Sequence, residues 1–203
     1  MTSARQIYLG SRRGPYDAEV EYLESTGTQW IDTGWHGNFN SRLEIVFEKN
    51  NNQDNYAICG FLQSGSSAQM TVPVNAYDDG LYARFGDKYI TNGIDVSIGK
   101  HTISSDRIGI TVDSVLRGTF GATADFTTPS SLALFRFKGL ARNFFIGRMF
   151  SCRFYDGGTL VRDFQPVRFT NELGRSEGAM YDRVSGQLFR NAGTGAFNYG
   201  NDK

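Results

Sequence analysis

From Ala18 onward, apolar residues recur with period two, or in short runs, with turn residues between them. Leu43, Ile45 and Phe47 alternate with Arg42, Glu44, Val46 and Glu48, the pattern of a strand. Val20 and Tyr22 are expected to share a face, and so are Phe150, Cys152 and Phe154. Ile108, Ile110 and Val112 alternate in the same way. The run at 55–62, which carries Cys59, predicts a buried strand, and 132–137 predicts another. Residues 69–77 and 81–85 flank Asp78-Asp79-Gly80, a strong hairpin signal. A second hairpin is expected where 179–182 and 186–190 flank Val184-Ser185. Residues 159–164 lead into Pro166, which suits a sheet edge or a strand end. Only 170–178 has room for a turn of helix. About a dozen short strands with frequent turns predict an all-β sandwich or barrel.

Residues 1–17 stand apart. They hold Arg5, Arg12 and Arg13, the apolar patch Ile7-Tyr8-Leu9 and the breaker Gly14-Pro15. This reads as an extended arm ending in a turn. It is either a frayed terminus or an attachment that docks on a neighbouring subunit, in a homo-oligomer or beside other surface proteins. No Pro- or Ser-rich linker divides the remainder, so 18–203 reads as one domain.

Composition narrows the function classes. The 203 residues carry 21 Lys+Arg against 21 Asp+Glu, a formal net charge of zero. A nucleic-acid surface needs clustered cationic charge, and so does a binder of anionic membranes. Aromatics reach 14%, enough ring area for a sizeable core. No apolar run approaches the roughly 20 residues that span a bilayer, so no membrane insertion is expected. The first ten residues have no apolar signal core, so ordinary secretion is not expected either. Cys59 and Cys152 are too few for a disulfide framework or a structural zinc site, and read as free buried thiols.

Three stretches, taken together and in this order, resemble the LamG-like members of the concanavalin A-like jelly-roll superfamily. They are Glu21-Tyr-Leu-Glu-Ser-Thr-Gly-Thr-Gln-Trp-Ile-Asp-Thr-Gly34, the segment from Arg148-Met-Phe-Ser-Cys through Phe-Gln-Pro-Val167, and the segment from Met180-Tyr-Asp-Arg-Val through Gly-Thr-Gly-Ala-Phe197. Similar segments occur in phage, prophage and gut-bacterial surface proteins. The resemblance implies a two-sheet antiparallel jelly roll with first and last strands adjacent. It specifies a fold more than a ligand. Trp30, Phe150, Phe154, Leu188 and Phe189 are the expected core aromatics and aliphatics of these motifs.

The superfamily includes glycoside hydrolases, which need two carboxylates facing one another, about 5–5.5 Å apart for retention. Glu44 and Glu48 share a strand face, but Val46 stands where the hydrolase pattern carries an aspartate. No nucleophile elbow and no phosphate-binding glycine loop appears. No cofactor is expected, although Asp78 and Asp79 offer oxygen ligands to Ca²⁺, which some LamG-like domains bind. Sugar recognition needs aromatic faces and planar polar side chains, and the loops supply Trp35, His36, Tyr77, Tyr82 and Arg84. Trp35 follows Gly34 and is expected to be exposed.

The expectation is a non-catalytic virion module, a phage decoration, fibre or tail-associated protein with glycan-binding capacity. It would assemble in the host cytoplasm and be displayed outside. A free-standing bacterial carbohydrate-binding module or lectin is the alternative, and a glycoside hydrolase the third.

Overall fold

The computed structural model describes residues 14–51, 56–74, 82–90, 94, 96–139 and 144–203. Among these there is no helix. Seventeen strands follow in chain order: β1 (Ala18–Glu19), β2 (Leu23–Ser25), β3 (Ile31–Asp32), β4 (Ser41–Lys49), β5 (Tyr56–Phe61), β6 (Gln69–Val74), β7 (Ala83–Gly86), β8 (Lys88–Ile90) and β9 (Gly99–Ser105); then β10 (Gly109–Val112), β11 (Val115–Thr119), β12 (Ala133–Leu134), β13 (Gly147–Asp156), β14 (Thr159–Thr170), β15 (Ser176–Asp182), β16 (Gln187–Phe189) and β17 (Asn198–Tyr199).

They form a two-sheet antiparallel sandwich, as the period-two pattern predicts. The larger sheet runs β11-β10-β9-β4-β13-β14-β15-β16, with β1 on β14 and β2 bridging β13 to β17. The smaller runs β3-β12-β5-β6-β7-β8. The C-terminal β17 pairs with β2, and Val20 bridges Asp202, so the two ends of the domain meet. Leu43, Ile45 and Phe47 of β4 point inward and are fully buried, facing the core that Ile58, Met70, Val72 and Phe85 fill from the other sheet. Every residue of β5 is buried, because a second small cluster of Ala57, Phe137 and Leu62 lies outside the main core. The hairpin of β15 and β16 forms as expected. β6 and β7 pair antiparallel; the turn between them lies outside the described residues.

Five local expectations are corrected. In β13, Met149 pairs with Phe47 and Ser151 with Val46, so Phe150 is an extra, bulged residue. The bulge shifts the phase: Met149, Cys152 and Phe154 are buried, and Phe150 leaves their face for the outer side, where the Lys100 Nζ sits 3.7 Å from its ring centroid. Tyr22 likewise leaves the face of Val20, because the chain breaks between β1 and β2, and its ring meets Phe150 edge-on. Ile108 sits in the turn closed by Asp106 and is 64% exposed. Residues 170–178 hold no helix: 171–175 form the turn between β14 and β15, with the Asn171 side chain accepting from the Leu173 and Arg175 N–H groups, and 176–178 already belong to β15. Pro166 lies inside β14, not at an edge. Its carbonyl accepts from Val20 N–H, so its ring nitrogen faces the seam where β13 pairing has ended at Phe164 and β1 pairing begins at Val167. A missing N–H costs nothing there.

Of the residues assigned to the arm, Tyr16 and Asp17 already belong to the sandwich. Asp17 N–H donates to the Arg168 carbonyl, and the Tyr16 ring packs 4.9 Å from that of Tyr181.

Candidate functional site

On the smaller sheet, Met70, Val72, Ala83 and Phe85 point into the core. Alternation therefore places Gln69, Thr71 and Arg84 on the outer face. Thr71 pairs with Arg84, and Arg84 pairs with Tyr89 on β8. A tight turn sets this register. Gly86 has φ +62°, and a Cβ there would stand 2.4 Å from the Thr123 hydroxyl, so only glycine fits. The result is a ladder of three side chains. The rings of Tyr82 and Tyr89 stack with centroids 5.5 Å apart and planes 26° apart. The Arg84 guanidinium carbon lies 5.7 Å from the first centroid and 5.3 Å from the second, a shared cation–π contact. Tyr89 is 53% exposed.

Two polar atoms on this face lack partners among the described residues. Arg84 Nε is enclosed without an acceptor, and Gln69 Oε1 is enclosed without a donor, in a residue only 5% exposed. The Gln69 amide nitrogen is held by the Ser66 carbonyl, which leaves the oxygen as the free end. A buried donor or acceptor left unpaired costs about 1–3 kcal/mol. Both atoms are enclosed by the fold beneath the ladder, whose exposed ring is that of Tyr89.

Tyr82 and Arg84 are thus brought together, and sequence reasoning missed Tyr89 and Gln69. Tyr77, Asp78 and Asp79 lie outside the described residues. Trp35 is not a displayed ring. It is half-buried against the core, 5.0 Å from Phe154, because its backbone is tied into the sandwich: its N–H reaches the Thr33 hydroxyl and its carbonyl accepts from Leu132 N–H. His36 is exposed, with Nδ1 2.8 Å from the Thr128 carbonyl. Neither joins Tyr82 and Arg84 in the ladder. At the rim they precede, Asn38, Phe39 and Asn40 face Asp125, Phe126 and Thr127 across an open cleft of about 460 Å³. The Arg107 guanidinium stands 5.5 Å over Phe39 there.

No family model matches the chain, and no curated protein matches it.

The acidic pair considered for hydrolysis is engaged elsewhere. Glu44 accepts from Arg42 and from the Tyr155 hydroxyl at 3.1 Å; Glu48 accepts from Arg148 at 3.3 Å. Four residues along a regular strand separate their Cα atoms by about 13 Å, far beyond the separation retention requires. A Ser97–His101–Asp113 series also occurs, with His101 Nδ1 2.6 Å from Asp113 and Nε2 3.4 Å from the Ser97 hydroxyl. Nε2 lies closer, 3.1 Å, to the Ser97 carbonyl. The ring therefore sits closer to the backbone at Ser97 than to the serine hydroxyl, and the contact with the hydroxyl is a long one. The hydrogen bond from His101, with a second from Thr102 N–H, holds the Asp113 carboxyl below its ordinary value. The series pins the β10–β11 turn. Among the described residues, no group of three His, Cys, Asp or Glu side chains is placed to hold a metal ion.

Both cysteines are free and buried, and burial pushes each thiol well above its ordinary pKa. A thiol held protonated is neither a nucleophile nor a metal ligand.

Proposed function

We propose that this protein is a non-catalytic adhesion module of a virion, a decoration, fibre or tail-associated component, that binds glycans on the outer face of its smaller sheet. One observation carries the reading: Tyr82 and Tyr89 stack on one another with the Arg84 guanidinium over both rings, and Tyr89 is half exposed on the outer face of the sheet. Saccharides present C–H faces to aromatic rings and hydroxyls to planar polar groups. This ladder offers both on a rigid three-stranded platform. The ion pairs that engage Glu44 and Glu48 support a role without catalysis. The virion setting rests on the resemblance of the Glu21–Gly34, Arg148–Val167 and Met180–Phe197 stretches to phage and prophage segments of LamG-like type.

The test is a glycan array probed with the intact chain, followed by the Tyr89→Ala and Arg84→Gln variants. Binding to a defined glycan set, weakened at least tenfold by either substitution, is expected. An array without a bound glycan, or binding indifferent to both substitutions, overturns the assignment.

A further inference from the structure

Arginines along β4, β13 and β14 of the larger sheet are engaged by the fold: Arg42, Arg148, Arg153, Arg162 and Arg168 each meet a carboxylate. At β14–β16 the same sheet is closed over. Val167, Phe169 and Ala179 are buried under Tyr16, Tyr181 and Leu188, and the Arg190 guanidinium lies 4.6 Å from the Phe169 ring centroid. Leu188, expected in the central core, belongs to this outer cluster instead.

Arg84 on the smaller sheet differs. Among the described residues no carboxylate pairs with it, because the acids around it are taken elsewhere. Asp87, in the turn between β7 and β8, accepts from Lys88 at 2.8 Å and from the Thr123 hydroxyl at 2.5 Å. Asp32, at the far edge of the sheet, is held by Lys138 and Ser131, and Asp125 lines the rim cleft. Arg84 Nε is enclosed; the two Nη groups are not, and they donate to no described residue. The Tyr82 and Tyr89 rings already hold the guanidinium, so much of the entropy of ordering it is lost on folding rather than on binding. A fixed, charged fork with a free outer end is matched by a carboxylate, which takes two parallel N–H donors at once.

We propose that the glycans taken by this ladder carry a carboxylate, as uronate and sialate residues do, and that Arg84 selects them through its two Nη groups. The inference rests on the reading of the smaller sheet's outer face as the glycan surface. Tyr89 takes the C–H face of the sugar, and Arg84 takes the carboxylate attached to it. The formal charge of the whole chain is zero, so selection comes from this local cation and not from a general attraction for acidic chains.

An array bearing uronate- and sialate-containing glycans beside their carboxyl-reduced and sulfated counterparts, probed with the intact chain, tests this. Carboxylated forms are expected to bind on the order of tenfold more tightly than the reduced forms. Arg84→Gln should erase that preference. Arg84→Lys, which keeps the charge but not the fork, should keep only part of it, with the circular dichroism of both variants matching the parent. The parent comparison needs no variant, so it stands even where a substitution unfolds the chain. Equal binding of carboxylated and reduced forms overturns the inference and leaves the adhesive reading in place. A preference for sulfated forms alone, or a carboxylate preference that survives Arg84→Gln, also overturns it. An array without a bound glycan overturns both.

Discussion

The ε-ammonium of Lys138 lies 2.5 Å from the Asp32 carboxylate, joining two segments 106 residues apart in sequence. The same carboxylate accepts from the Ser131 hydroxyl at 2.6 Å and from Gly34 N–H at 3.2 Å. This knot clasps β3 to the segments flanking β12 at one edge of the smaller sheet. Burial opposes the charge on Asp32, but the hydrogen bonds from Lys138, Ser131 and Gly34 outweigh it and hold the carboxyl below its ordinary value. Because the folded state binds the proton less readily than the unfolded chain, the knot stabilises fully above the ordinary carboxylate range. Its contribution is lost as pH falls through the lowered folded value. Asp32→Asn should cost about 1 kcal/mol at neutral pH, the carboxylate being more than a third exposed and screened. Thermal melts of parent and variant from pH 7 to pH 2.5 should converge at the acid end.

The thiols of Cys59 and Cys152 should be silent in the folded protein. Burial disfavours the thiolate at both. An aromatic disulfide reagent at pH 8 should label neither until denaturant unfolds the chain, and then both. Labelling on the folded timescale would place at least one sulfur at the surface.

Phe154 is the aromatic hinge between Trp35 at 5.0 Å and Phe164 at 5.7 Å, and it is fully buried. Phe154→Ala removes both contacts and leaves a cavity, at a cost of about 3–5 kcal/mol. Urea unfolding should show a lowered midpoint with an unchanged slope.

Glu44 sits in a half-exposed ion pair on the outer face. Such pairs contribute about 0–1 kcal/mol. Glu44→Gln should therefore shift the urea midpoint little and leave glycan binding intact. A large loss of binding would move the site to the larger sheet.

Much of the architecture was legible in residue pattern. The alternation of Leu43, Ile45 and Phe47 sets the face of β4, and the Val184-Ser185 turn sets the β15–β16 hairpin. Period-two reading failed wherever one residue broke the phase. The extra residue at Phe150 turned that ring outward, and the break after Val20 did the same to Tyr22. Asp106 drew Ile108 into a turn. A bulge leaves no mark in hydrophobic periodicity, because the same side chains occur in the same order.

The site was legible only in half. Tyr82 and Arg84 stood out as an aromatic and a planar cation two residues apart. Tyr89 became their neighbour through the β7–β8 register, which depends on Gly86. Gln69 became one through the β6–β7 register. Neither pairing is a local property of sequence. Trp35 was misjudged because a Trp after a glycine looks like a loop tip, while the hydrogen bonds of Thr33 and Leu132 turn it inward.

Adhesion through the tyrosine–arginine ladder is tested most directly by isothermal titration of a glycan selected on the array against the parent and Tyr89→Ala proteins, with matched thermal melts. Tyr89 is half exposed and contributes little to the core, so the melts should agree within about 2 °C while affinity falls at least tenfold. Equal affinities for the two proteins, with both folded, would contradict the assignment of this face as the binding surface.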